Sequence, residues 1–297
     1  MSEKDQINRF LFDKTDIRGE ILTLDNELLD AVEHQSFPVP LMPLFGEFLA
    51  AAALLSEVLK FEGTLTLQAR GNADVSIIMA EANHQGDLRG IVRPHPDRDI
   101  PAQEFEGRNL KSLVGDGVLT ITIDPTKGQR YQGIIPIEHP SLAECLDEYF
   151  EQSEQLPTNI QLYSNQHACG GLFLQALPAQ EVIDPDRRDD IWTTCCHLAR
   201  TLKKEEMFSL SNSEILTRLF HEMQCRVFPP KRLQFHCSCT RERSANALQS
   251  LGIEDAHALL QERDVIQIDC QFCGKSYAFS APDLPKIFPE GHSWSLH

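Results

Sequence analysis

The sequence predicts an α+β protein: an antiparallel-sheet core domain with packed helices, a helical linker, and a small C-terminal metal-binding domain. Three observations predict it. Strand-like segments come in runs joined by short turns while helical ones are grouped, which argues against a βαβ wind. The patterning turns helical after Pro178, and four cysteines near the end sit as two tight pairs. The expected domains are residues 1–178, 179–231 and 232–297.

Helical patterning covers Leu28 to His34 and then Leu44 to Lys60, where an alanine and leucine run suits a core. The most apolar stretch, Leu41 to Leu59, contains Pro43, Glu47, Ser56 and Glu57 and reads as a buried helix, not a membrane span. Leu65, Leu67 and Ala69 alternate with polar residues as a strand does. Val75 to Ala82 reads as a buried strand, and Leu88 to Arg93 follows a Gln85-Gly86-Asp87 turn, giving a meander. After a proline-punctuated loop from Pro94 to Pro101, Gly115-Asp116-Gly117 opens a hairpin of Val118 to Asp124 and Gln129 to Ile137.

Ser141 and Glu144 form a capping box that starts a helix through Phe150, with Leu142, Leu146 and Tyr149 on its inner face. Strands at Asn159 to Tyr163 and Gly170 to Leu177 complete the core. Asp184 to Asp190 then begin a helical stretch that Pro229-Pro230 ends. Ile191, Trp192, Cys195, Leu198, Ala199 and Leu202 form one stripe on it, and Ile215, Leu216, Leu219, Phe220 and Met223 a second. The tail holds helices at Ala245 to Leu251, stopped by Gly252, and at Ile253 to Glu262, then strands at Val265 to Ile268 and Tyr277 to Phe279.

The formal net charge is −17, of which −14 (27 acidic against 13 basic residues) lies on Met1 to Ala179. An acidic surface repels phosphate backbones, so nucleic acid and anionic membranes are poor candidate partners. The N-terminal Met1-Ser-Glu-Lys-Asp-Gln lacks a signal-peptide pattern, which places the expected protein in a reducing cytoplasm with its nine cysteines as thiols or metal ligands. No G-x-G-x-x-G motif or P-loop occurs. His221-Glu222 lacks the second histidine of a helical zinc protease, because Cys225 stands in its place.

The chemistry concentrates in Cys237-Ser-Cys239 and Cys270-Gln-Phe-Cys273, thirty residues apart. Four thiolates from two short turns suit one zinc ion in a closed tetrahedral site. Gly274 tolerates the positive φ of a zinc knuckle, and Arg241, Arg243 and Lys275 are placed to offset the negative charge of the sulfurs. A 66-residue tail is marginal without metal, since zinc supplies roughly 10 to 16 kcal/mol of apparent folding free energy in comparable peptides. The site reads either as purely structural or as a switch. The single residue between Cys237 and Cys239 leaves a sulfenic acid on either one a thiol partner beside it. A dithiol-disulfide oxidoreductase with Cys270 attacking and Cys273 resolving is the rival enzyme; a probable strand after Gly274-Lys275 argues against it. A nucleic-acid-binding zinc module is disfavoured by the near-neutral tail and acidic core.

These residues, with Arg9-Phe10-Leu11, Tyr131-Gln132-Gly133, Tyr149-Phe150, Ser153-Glu154-Gln155, the run Gly170 to Gln175, and Leu219-Phe220-His221-Glu222, make the chain resemble the bacterial family of redox-regulated 33 kDa heat-shock chaperonins along its whole length. The resemblance implies an ATP-independent holdase, not an enzyme, which is inactive while reduced and zinc-bound. It also implies that oxidation pairs Cys237 with Cys239 and Cys270 with Cys273, releases zinc, and unfolds tail and linker. The active form would be a homodimer that binds unfolding client proteins under oxidative stress. Ile191, Trp192, Leu198, Leu202, Leu216, Leu219 and Phe220 are the candidate client-binding linker residues, packed on the core when reduced and uncovered on oxidation. The chain departs from the bare family pattern in Cys145, Cys169, Cys195, Cys196 and Cys225, of which Cys195 and Cys145 are expected to pack as small hydrophobes.

Overall fold

The computed structural model describes residues 4–33 and 35–288 and divides into two compact units, Met1–His236 and Cys237–His297. The first contains β1 (Gln6–Phe12), β2 (Ile17–Leu24), α1 (Asn26–Val32), α2 (Met42–Val58), β3 (Gly63–Arg70), β4 (Val75–Asn83), β5 (Asp87–Pro94), α3 (Leu110–Val114), β6 (Val118–Pro125) and β7 (Tyr131–Pro136). It continues through α4 (Leu142–Tyr149), β8 (Thr158–Ser164), β9 (Cys169–Ala176), α5 (Pro185–Ala199), α6 (Lys204–Ser209), α7 (Asn212–Phe220), β10 (Cys225–Val227), β11 (Lys231–Arg232) and β12 (Gln234–Phe235).

One sheet has the order β10-β1-β2-β9-β8, with β11 also on β1, and the other runs β12-β5-β4-β3-β6-β7. Pairing is antiparallel except for the two-residue β12, which lies parallel to β5. The α+β class is therefore as the patterning predicts.

Helix α2 has no polar face because it has no wet side: 14 of its 17 residues are buried. It packs with Leu22, Leu24 and Phe173 of the first sheet and Leu65, Leu67, Ile78 and Ala80 of the second in one continuous core. A helix apolar all round is a buried helix. The segment Val39–Val58 is long and apolar enough to span a membrane, yet 78% of its apolar window is buried inside the protein. Gly46 permits the close approach to the first sheet, since a Cβ there would stand 2.2 Å from Ser164 Oγ and 2.9 Å from the Cys169 Cβ.

The opposite face of the first sheet is also apolar. Phe10, Phe12, Ile17, Ile21, Leu172 and Leu174 meet Cys195, Ala199, Met207, Ile215, Leu216, Leu219 and Phe220 from α5, α6 and α7, and Leu202 from the break between α5 and α6. The Phe12 and Phe220 rings stand edge to face with centroids 4.8 Å apart. Every residue of β9 is buried.

Several expectations need correction. Residues 6–24 carry two strands that the patterning did not mark, and for β2 the reason is that a strand covered on both faces loses its polar alternation. Helix α1 starts at Asn26 behind the Asp25 cap, and the expected end at His34 lies outside the described residues. The long helical stretch after Asp184 is three helices. Arg200 to Lys203 breaks it once, and Leu210-Ser211 again, where Ser211 and Glu214 form a capping box. Helix ends at Phe220, so Cys225 sits on β10, paired with Phe12. The capping box of Ser141 and Glu144 forms with both of its bonds.

Asp16, in the turn between β1 and β2 and 8% exposed, fastens the entrance to α5. Its carboxylate accepts from the backbone N–H groups of Gln180, Glu181 and Val182 at 2.9 to 3.1 Å and from Arg188 Nη1 at 2.7 Å. Burial alone would raise its pKa, but these donors and the Arg188 charge together hold it below the usual carboxylate value. Further along, Lys231 bonds Glu57 of α2 and the His84 carbonyl, Leu233 is buried, and Phe235 N–H donates to Glu27 Oε2 at 2.5 Å.

Glu20 on β2 is 1% exposed, and neither carboxyl oxygen has a hydrogen-bond partner among the described residues. Burial, then the nearby Glu57 charge, pushes its pKa up to about 8 against the opposing Arg18, Arg9 and Lys231. Burial likewise lifts Glu47 and Asp147 to about 7.

The second unit contains α8 (Arg241–Leu251), α9 (Ile253–Glu262), β13 (Ile266–Asp269), β14 (Ser276–Phe279) and α10 (Leu284–Ile287). Its core is Leu248, Ala256, Ile266, Tyr277, Phe279, Leu284 and Ile287. Gly252, at φ +101°, lets α9 follow α8 directly. Strands β13 and β14 pair antiparallel from Ile266 opposite Phe279 to Asp269 opposite Ser276.

Two outcomes are expected. The three raised carboxyls have folded pKa values above unfolded ones near about 4, so the stability they confer is fully present below about 4 and is lost as pH rises through 7 to 8. The urea midpoint of the full chain should therefore be higher at pH 6 than at pH 8.5, and Glu20→Gln should flatten that difference. Asp16→Ala leaves three amides without their acceptor and Arg188 without its counter-charge, and should weaken the attachment of residues 180–188 by about 3 kcal/mol. Faster hydrogen exchange at Gln180, Glu181 and Val182 is the readout.

Candidate metal centre

Cys237 and Cys239 lie just before α8, whose first turn is capped by the Thr240 hydroxyl accepting from Arg243 N–H. Cys270 and Cys273 lie in the loop between β13 and β14. That loop is closed by Cys270 N–H donating to the Lys275 carbonyl at 2.9 Å and Gly274 N–H donating to the Cys270 carbonyl at 2.8 Å. Gly274 takes φ +68°, the left-handed conformation that glycine adopts without strain.

The hairpin brings the two pairs together. All four sulfurs lie within 4.8 Å of one another, with Cys237 Sγ 3.6 Å from Cys270 Sγ and Cys239 Sγ 3.4 Å from Cys273 Sγ. Four sulfurs at about 2.3 Å from one ion at tetrahedral angles would stand about 3.8 Å apart. A disulfide needs about 2.0 Å, well short of these separations. The close contacts run crosswise, from one pair to the other, as the corners of a shared tetrahedron do. The four cysteines can hold a metal ion, and an all-sulfur donor set is one that soft or borderline ions favour.

Surrounding side chains hold the two loops. Tyr277 Oη donates to the Cys239 carbonyl at 3.0 Å or to Cys239 Sγ at 3.2 Å. Arg243 Nη1 donates to the Ser238 carbonyl at 3.1 Å and to its Oγ at 2.7 Å, bracing the residue between the first two sulfurs. Lys275 Nζ lies 5.4 Å from the centre of the Tyr277 ring. Arg241 differs from expectation: it pairs with Asp283 at 3.0 Å and stacks 4.5 Å over the Phe279 ring. Tyr277 was not singled out by its sequence position; its only signal is an aromatic residue four places after Cys273.

The sulfurs cannot all ionise unaided. Burial raises Cys239, but hydrogen bonds from Tyr277 and the neighbouring thiols outweigh it and bring Cys239 down to about 7. Burial and the adjoining sulfurs push Cys273 up to about 12. One thiolate forms readily and the next is opposed by it, a conflict that a bound cation removes.

The other five cysteines sit elsewhere. Cys145, Cys169, Cys195 and Cys196 are buried and Cys225 is half-buried. Burial lifts Cys195 to about 12 and Cys196 and Cys225 to about 11, which leaves them little thiolate at neutral pH. The Cys195 thiol faces Met223 Sδ at 3.7 Å. Of the linker residues singled out above, Leu202, Leu216, Leu219 and Phe220 are buried against the first sheet, with Ile191, Trp192 and Leu198 half-buried at the margin.

Comparison with known proteins agrees along the whole chain. The family model described as Hsp33 protein matches residues 5–280. The 33 kDa chaperonin of Pseudomonas aeruginosa is 47% identical over 289 residues, 97% of this chain and 96% of the relative. That of Azotobacter vinelandii is 46% identical over 294 residues, 99% and 97% of the two chains. The crystal structure of the 33 kDa chaperonin from Thermotoga maritima has the same fold, with a TM-score of 0.79 at 22% identity over 95% of this chain and 97% of that one. The chain belongs to the Hsp33 family of chaperones.

Proposed function

We propose that this protein is an ATP-independent holdase of the cytoplasm that captures unfolding proteins under oxidative stress. In the reduced state Cys237, Cys239, Cys270 and Cys273 would hold one zinc ion. Oxidation would join Cys237 to Cys239 and Cys270 to Cys273, and zinc would leave. With hydrogen peroxide as oxidant, each thiolate pair gives up two electrons to one peroxide, which takes two protons and leaves as two waters.

The observation that carries this reading is the convergence of four thiols in a unit whose buried apolar core, among the described residues, is seven side chains. So small a core rarely sustains a fold without a staple. Removing the four sulfurs from a shared ion therefore removes most of what holds the unit together. Residues 179–231 act in this proposal as the linker that responds. Their apolar stripes at Ile191, Trp192, Leu198, Leu202, Leu216, Leu219 and Phe220 would become the client surface once they leave the sheet, and the active form would be a homodimer. The acidic surface supports a protein client over nucleic acid or an anionic membrane. A dithiol oxidoreductase is less well supported, because Gly274 leads into β14 and not into a helix whose N-terminus would activate Cys270.

Two experiments test the proposal. Stripping metal from the reduced chain with a strong chelator should abolish the helical signal and exchange protection of α8 and α9, because roughly 10 to 16 kcal/mol of apparent folding free energy is tied to binding. A tail that stays folded without metal contradicts it. Peroxide with mild heat should convert a chain that does not suppress aggregation of a thermally unfolded client into one that does, with one zinc released per chain. Equal suppression by the reduced and oxidised forms refutes the switch.

A further inference from the structure

We infer that Tyr277 is a positioning residue of the metal centre: its hydroxyl donates to the Cys239 sulfur, holds it in the ligand position and slows its capture by oxidant. This inference rests on the zinc reading of the four cysteines. The Tyr277 ring is set in place by packing outside the two ligand loops, since it is 7% exposed in the core of the second unit and its backbone pairs with Ile268 across the hairpin. From there Tyr277 Oη reaches Cys239 Sγ at 3.2 Å and the Cys239 carbonyl at 3.0 Å.

A phenol has one proton and serves one of these acceptors at a time. While Cys239 is a thiolate, the charged sulfur is the stronger acceptor. Once the sulfur is oxidised, the same proton turns to the carbonyl, so neither state strands a buried hydroxyl. The hydroxyl thus favours the thiolate and still has an acceptor once the sulfur is oxidised.

The effect on oxidation follows from the electron pair involved. A sulfur lone pair of Cys239 attacks one peroxide oxygen, the O–O bond breaks and hydroxide departs to be protonated, leaving a sulfenic acid. The Cys237 thiolate then attacks that sulfur, the S–S bond forms, the S–O bond breaks and a second hydroxide leaves as water. A hydrogen bond to the attacking lone pair makes it a poorer nucleophile. Groups that hydrogen-bond to metal ligands also hold the ion, and their removal typically weakens binding roughly tenfold to hundredfold.

The test uses the full chain, reduced and loaded with zinc, with Tyr277→Phe to delete the hydroxyl alone. Competition with a chromogenic chelator should show zinc bound roughly tenfold to hundredfold more weakly. Peroxide should release it several-fold faster, and alkylation followed by mass spectrometry should show Cys239 oxidised earlier. Unchanged affinity and release rate overturn the inference. If the variant loses the helical signal of the tail, 3-fluorotyrosine at position 277 keeps the ring shape and strengthens the donor. It should then release zinc more slowly than wild type, and an equal or faster rate overturns the inference. A reduced wild-type chain that binds no zinc refutes the metal reading itself; a zinc-bearing wild type matched by Tyr277→Phe refutes only the role of Tyr277.

Discussion

The first sheet is apolar on both faces, and most of the first unit is arranged to keep it so. One face needs a partner that is itself apolar on every side, which α2 supplies by lying between the two sheets. The other needs a cover, which α5, α6 and α7 supply. The first partner is a single 17-residue helix buried among two sheets and cannot leave without dismantling the core. The second is three short helices, the longest of 15 residues, held along one face by side-chain packing, at its start by Asp16, and at α7 by Asn212, which accepts from Thr23 and donates to Asn8. That asymmetry makes the helical cover the separable layer, and whatever removes it exposes apolar surface on both sheet and helices at once.

How much of this was legible in the sequence depended on whether the cause was local. The capping box of Ser141 and Glu144, the meander around Gly86 and the buried character of Leu41 to Leu59 follow from neighbouring residues and appear in the structure. Strand β2 does not follow, because Ile17 to Leu24 is hidden on both faces and lost the alternation that marks a strand. The helical stripes did not reveal their breaks, since Leu202 stays in helical phase with Ile191, Cys195 and Leu198 although α5 stops at Ala199. At the metal centre the four cysteines were legible from spacing alone. Tyr277 was not, because its relation to Cys239 exists only through the pairing of β14 with β13.

The nine cysteines divide by surroundings rather than by sequence. Five lie in the first unit, four of them buried and Cys225 half-buried, and burial lifts the thiols of Cys195, Cys196 and Cys225 so that little thiolate forms there. Four lie half-exposed in hairpin and pre-helical loops, close enough that each one's ionisation is the others' problem. A purely structural site would share this geometry; the proposed switch adds that Cys237, two positions from Cys239, would give oxidation a covalent end point.

The sheet order carries a consequence for synthesis. The first sheet draws its strands from residues 6–24, 158–176 and 225–232, so β1 and β2 emerge as a hairpin that waits for β9 and then for β10 and β11. A lone two-stranded hairpin is marginal in water, and pairings across such long separations form slowly. The second sheet can complete β3 to β7 much earlier, but its far edge is closed by β12, whose Gln234 pairs beside Asp87. The nascent first unit is therefore unfinished until nearly its last residue has been made, and this chaperone spends most of its own synthesis as an incompletely folded chain.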